Sequence, residues 1–215
     1  MSGTPMNLGI RTPAELSAVQ RQRKRAVAFG LVGLMAIALS TASIWDDDTV
    51  VRRLVEALGL VLIVVSVVGR AWCSLYIGGR KAAELVVTGP YSVSRNPLYF
   101  FSLLGALGMG AQSGSISLGL LFLAAAVAIF LPLIVREESY LAQAMPGAFD
   151  AYRLTTPRLL PRLGLWRSPE EITVRPVFFS RTLLDGVVMV LAWPIFEGIE
   201  VLQRAGVFPV LIRWP

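Results

Sequence analysis

Two long uncharged stretches dominate the pattern of the chain, 19 residues from Ala26 to Ile44 and 39 from Pro97 to Val135. A bilayer crossing needs about 20 mostly apolar residues. The first stretch therefore predicts one span. The second predicts two, parted by the polar "QSGS" at 112–115 into a tight helical hairpin, with Pro132 kinking its second arm. Between the stretches, "DDD" at 46–48 with Arg52 and Arg53 makes a polar turn, and a further span follows near 52–70 with Glu56 close to that turn. A last apolar stretch, 182–202, has only 11 uncharged residues between Asp185 and Glu197, so a full span and a kinked, half-inserted helix are both open. The pattern predicts an all-α, polytopic membrane helix bundle of about five transmembrane helices. A polar tail at 1–25 precedes one membrane-embedded domain at 26–202, and 203–215 form a C-terminal tail.

Composition agrees, with 55% hydrophobic and 16% charged residues against about 45–50% and 25% in soluble domains. "RQRKR" at 21–25, the apolar run and "STAS" at 40–43 imitate a cleavable signal, but the run is span-length and its polar lead long, so a retained anchor is expected. The net charge of +6 reads as cytoplasmic lysine and arginine bias facing anionic headgroups, not as a nucleic-acid surface. With five spans and the N-terminus inside, 16 of the 20 Lys and Arg residues fall on the cytoplasmic side. The two polar segments at 71–96 and 136–181 then face one compartment and can share one site.

Chemistry is narrowed by what the chain lacks. It has no histidine and one cysteine, Cys73, so the commonest metal ligand and neutral-pH base are missing and no intramolecular disulfide can form. No metal site is expected. No Walker loop, no Gly-x-Gly-x-x-Gly after a strand, no heptads and no fixed-period repeat are found.

Two short constellations remain. "GPYSVSRNPLYFF" at 89–101 reads as a structured turn in which Asn96 caps a helix that Pro97 opens, flanked by Tyr91 and Tyr99. Arg95 and the helix start favour an anionic group there. "REESYL" at 136–141 places Arg136, Glu137 and Glu138 at the end of the hairpin. Taken alone they are a solvated helix terminus, and if turned inward they mark a site.

Read together, Gly-Pro-Tyr, Arg-x-Pro-x-Tyr, an apolar hairpin, Glu-Glu-x-x-Leu and Tyr-x-x-x-x-Pro-x-x-x-Pro resemble the isoprenylcysteine carboxyl methyltransferase and phospholipid methyltransferase family of integral membrane enzymes. The resemblance covers about 83–162. It implies a pocket for S-adenosylmethionine open to the cytoplasm, bounded by Leu85, Val86, Tyr91, Arg95, Asn96, Pro97, Leu98 and Tyr99. Glu137 would hold a polar part of the cofactor, and Glu137, Glu138 and Arg136 would be the candidate catalytic groups. The downstream match continues over Leu141, Met145, Pro146, Phe149 and Tyr152 to Pro157 and Pro161.

The chain departs from the family at three points: Asn96 replaces a histidine, Met145-Pro146 a Phe-Gly pair, and Leu133 a substrate-contacting arginine. Cofactor binding is thus better supported than the isoprenylcysteine substrate. The expected acceptor is a lipid or lipid-linked group, such as an isoprenylcysteine carboxylate. Phospholipid N-methylation and small-thiol S-methylation are alternatives within the fold. A nicotinamide-dependent membrane reductase, for which only Arg80-Lys81 with Arg95 could hold phosphates, and a non-catalytic scaffold are alternatives outside it.

Overall fold

The computed structural model describes residues 30, 32–78, 85–172 and 174–215. The N-terminal tail, the start of the first expected span and the Arg80-Lys81 pair lie outside the described residues. The chain divides into two compact units, Met1–Ile37 and Ala38–Pro215. Within the first, residues 32–37 are helical. The second opens on helical residues 38–40 and then a short strand, β1 (Thr41–Ser43), so helix stops before the 44 expected.

Three helical stretches among the described residues are long and apolar enough to cross a membrane, Val50–Ile77, Ile116–Ala144 and Pro176–Arg204. The chain is an all-α membrane helix bundle.

Thr49 starts α1 (Val50–Ile77) by accepting a hydrogen bond from the Arg52 amide, the device expected of an N-cap threonine. The helix runs well past residue 70, where the first arginine after an apolar run predicted its end. Two structural reasons allow this: Arg70 turns into the bundle, and Ala71, Cys73 and Ser74 continue the buried face. A short helix, α2 (Pro90–Val93), precedes the hairpin of α3 (Pro97–Ala111) and α4 (Ile116–Ala144). The break at 112–115 falls where the polar tetrad predicted it, and Ser115 caps α4 through the Leu118 amide. Pro132 sits inside α4 without ending it. At 15 residues α3 is about 22 Å long, short of the roughly 30 Å hydrocarbon core.

The charged stretch after the hairpin is not a separate helix. α4 continues through it to Ala144, and α5 (Ala148–Thr155) follows. The last apolar region is one kinked run rather than a half-helix: α6 (Pro176–Val187), a 3₁₀ turn at Val188–Leu191 and α7 (Ala192–Arg204). Pro194, which cannot donate an amide hydrogen bond in the first turn of α7, accounts for the tightening just before it.

Small residues set the packing of α1, α3 and α4. A Cβ on Gly59 would lie 2.9 Å from the Gly108 carbonyl, and one on Gly110 would lie 2.8 Å from the Gly119 Cα. Such close backbone approach is how helices associate without a hydrophobic driving force between them. The facing pairs also give the register. Gly59 meets Gly108, Gly69 meets the Phe101 ring, and Tyr99 meets Phe130. Extended by one turn, this antiparallel register puts the start of α3 level with Cys73 on α1, while α4 runs on beyond that start to carry Glu138.

At the other end, residues 203–215 are tied down rather than free. Strand β2 (Ile212–Trp214) pairs in parallel with β1, Thr41 opposite Ile212, and the Pro215 carbonyl accepts from the Ser117 amide and the Ser115 hydroxyl.

Candidate functional site

Asn96 does not cap α3. Its side chain makes no capping bond, and Nδ2 instead donates to Glu138 Oε1 at 3.1 Å and to the Arg158 carbonyl at 2.9 Å. The capping expectation fails because the Glu138 carboxylate and the Arg158 carbonyl fix the side chain through Nδ2, and Oδ1 accepts from none of the first-turn amides that a cap serves. Ser94 stands in at the turn, its hydroxyl accepting from the Asn96 amide at 3.2 Å.

Glu138 is the hub. It is 8% exposed, and it is paired with Arg95 at 3.4 Å and with Arg158 at 3.0 Å besides the Asn96 bond. It shares a face of α4 with Ile134, also buried, four residues earlier. The three acid-terminus residues therefore separate. Arg136, two positions away and roughly opposite on the helix, is exposed, and Glu137 is half-buried. The structure joins Glu138 to Arg95 and Asn96, brings the charge of Glu137 within influence of Tyr91, and leaves Arg136 outside. Leu85, Val86, Leu98 and Tyr99 are half-buried beside this turn, and Pro97 is buried.

The segment after α5 straps the threshold turn in place, chiefly through backbone. The Arg95 amide donates to the Pro157 carbonyl, Arg162 to Val93 and Gly89 to Arg167, while the Ser94 hydroxyl donates to the Leu159 carbonyl. The Tyr152 hydroxyl donates to the Tyr91 carbonyl at 2.5 Å, and Trp166 stacks on Trp72 with ring centroids 5.4 Å apart. Gly89 is required here on two counts. It has φ near +60°, and any Cβ would strike the Tyr76 ring. Arg158 is the site residue that sequence reasoning passed over. Its signal was its position directly after the first closing proline.

Two donors on this turn have no partner. Tyr91 Oη and Arg95 Nε are buried without a hydrogen bond. Buried polar groups are satisfied in the great majority of cases, so such leftovers mark a place where a ligand's acceptors would be held. Burial, above all, pushes the Tyr91 hydroxyl well above its ordinary range, helped by the neighbouring Cys73, Tyr152 and Glu137. Burial also raises that of Tyr152. Both remain neutral donors at any working pH. Among the described residues, no group of three His, Cys, Asp or Glu side chains could hold a metal ion.

The phospholipid methyltransferase family model matches residues 54–146, from α1 through the end of α4. The nickel-cobalt-cadmium resistance protein NccN of Alcaligenes xylosoxydans xylosoxydans is 34% identical over 98% of this chain and 100% of its own length. The cobalt-zinc-cadmium resistance protein CzcN of Cupriavidus metallidurans is 38% identical over 83% of this chain and 82% of its own. The chain belongs to the phospholipid methyltransferase family. No solved structure matches it. The family match takes in Arg95, Asn96, Glu137 and Glu138, and it reaches further toward the N-terminus than the motifs do, to include α1. The strap, with Tyr152 and Arg158, lies beyond it, yet the likeness to NccN extends over nearly the whole chain.

Proposed function

We propose that this chain is an integral membrane methyltransferase that uses S-adenosylmethionine, on a lipid or lipid-linked acceptor, at the cytoplasmic edge of the bilayer where its N-terminus also lies. The observation that carries this reading is the Arg95–Asn96–Glu138–Arg158 network around the buried Glu138, with two unpartnered donors, Tyr91 Oη and Arg95 Nε, at the start of a short helix. These residues fit the cofactor. The two donors suit a carboxylate, and Glu137 suits an ammonium group or ribose hydroxyls.

When bound, S-adenosylmethionine supplies an electrophilic methyl group. The chain's own work is alignment and exclusion of water. Glu138 holds Arg95 and Asn96 in one geometry, the strap seals the turn from below, and Tyr91 donates without ionising. An acceptor that is already anionic needs no base, which suits a chain without histidine. An amine or hydroxyl acceptor would have to give its proton to Glu137.

The relatives are named for resistance to nickel, cobalt, zinc and cadmium. This chain offers poor ligands for such ions, with no histidine and a single, buried cysteine. Modification of a membrane component, rather than metal liganding, is the contribution the residues support.

The test is a thermal-shift titration of the full chain in detergent. S-adenosylhomocysteine should stabilise it and a nicotinamide dinucleotide should not. The opposite result would mean a reductase, and stabilisation by neither a scaffold. Incubation with methyl-labelled S-adenosylmethionine and total lipid should then place label in an apolar product.

A further inference from the structure

Arg70 has no place in the network above, and its surroundings are unusual for a cation in a membrane helix. It lies about 10 Å, or seven residues, before the end of α1. A lipid-facing arginine at that depth extends its side chain toward the headgroups. Arg70 turns inward instead. One terminal nitrogen donates to the thioether of Met189 at 3.7 Å, and Nε is buried with no partner. Among the described residues no carboxylate stands within 4 Å of it. Asp185 on α6 acts on it only at longer range.

The setting is tightly built. Ser66 also reaches Met189 Sδ at 3.7 Å, and a Cβ on Gly105 would crowd both Ser66 and Met189. An intramembrane charge so poorly compensated is costly. A role for it follows from its position. It is one helical turn before Cys73, which the α1–α3 register sets level with the start of α3, so it sits just on the membrane side of the candidate cofactor turn. Asp185 borders an open groove of about 470 Å³ on α6, lined also by Pro176, Val177, Ser180, Arg181 and Leu184.

We infer that Arg70 anchors the anionic head of the acceptor, an oxygen acid on an apolar chain that reaches it from the bilayer. This deepens the methyltransferase reading and rests on it. Arg70 supplies what the cofactor turn does not, a guanidinium with an unpartnered Nε just on the membrane side of that turn.

Dodecyl phosphate tests the assignment on the full chain in a neutral maltoside detergent, read as thermal stabilisation. Dodecylphosphocholine and inorganic phosphate are comparison ligands, and S-adenosylhomocysteine is titrated in parallel. Dodecyl phosphate should stabilise the wild type, and Arg70→Gln should need at least tenfold more of it while binding S-adenosylhomocysteine within twofold of wild type. Arg70→Lys, which keeps the charge and loses the Nε donor, should fall between them. Equal titration of wild type and Arg70→Gln would overturn the inference, as would stabilisation by inorganic phosphate at the same concentrations, which would make the ligand a free anion. Should Arg70→Gln not fold, the paired Arg70→Met, Asp185→Leu variant removes both charges. It should bind S-adenosylhomocysteine and ignore dodecyl phosphate, and retained binding there would equally overturn the assignment. A wild type that binds dodecyl phosphate through Arg70 but ignores S-adenosylhomocysteine would sink the methyltransferase reading and leave the anion site standing.

Discussion

The two ends of the helix bundle each hold a buried ionic cluster, and they are finished differently. At the start of α1, Arg52 is 7% exposed and every nitrogen that can donate is used. Nε binds Glu56 at 2.8 Å, one terminal nitrogen binds Asp47 at 2.7 Å, and the other binds Glu200. Arg204 closes the ring onto Asp47 and Glu200. Gly114 packs so tightly on this arginine that a Cβ would stand 2.7 Å from its side chain. At the other end, Glu138 is as well satisfied as Arg52, but donors remain on Arg95 and Tyr91. A cluster that balances its own hydrogen bonds fastens helices together. One with donors left over is what the proposed cofactor site requires.

The comparison breaks most easily at Arg52. Arg52→Ala leaves three carboxylates with only Arg204 among them and should cost about 4 kcal/mol of stability, within the range for removing one partner of a buried ion pair. Denaturation in detergent would measure it. S-adenosylhomocysteine affinity, measured at a temperature where the variant is folded, should be unchanged. Loss of affinity there would mean the two ends are coupled and the contrast is false.

Glu138→Ala should cost less, about 3 kcal/mol, because Arg158 is half-exposed and recovers water. Here both readouts should fall together, since Arg95 and Asn96 lose the group that orients them. Glu137→Gln sharpens the same end. It should weaken S-adenosylhomocysteine binding by about 1.5–3 kcal/mol, the range for a hydrogen bond to a charged group, and leave the fold intact. Unchanged affinity in that variant would remove Glu137 from the site.

Much of this contrast was legible before any coordinates. The hairpin and its break at 112–115 follow from an uncharged run too long for one span, and the pairing of 89–101 with 136–141 follows from motif order and a shared side. Three things did not follow. The length of α1 was hidden because Arg70 looks like an exit signal when only its charge is visible, and inward packing against Met189, over a hundred residues later, is not written locally. The partner of Asn96 was hidden for the same reason. An Asn-Pro step predicts a cap from neighbours in sequence, whereas the Glu138 carboxylate lies 42 residues away and is supplied by tertiary structure. The Arg52 ring needed the last helix, whose Glu200 and Arg204 carried no motif.

The smallest expected effect is the sharpest test of the difference between the ends. Tyr91→Phe deletes a buried hydroxyl that has no partner, so the folded protein loses no hydrogen bond and sheds the desolvation cost of that group. If the turn were merely structural, the variant would be equal to or slightly more stable than wild type, and nothing else would change. If the hydroxyl awaits an acceptor on the cofactor, the same variant should hold S-adenosylhomocysteine more weakly by about 0.5–1.5 kcal/mol, the net worth of one neutral hydrogen bond. Stability and affinity then move in opposite directions. Substitutions in the Arg52 ring cannot do this, because every donor they remove already has a partner. Calorimetric titration beside a melting curve of the same preparation reads both, and an unchanged affinity would return Tyr91 to the packing of the turn.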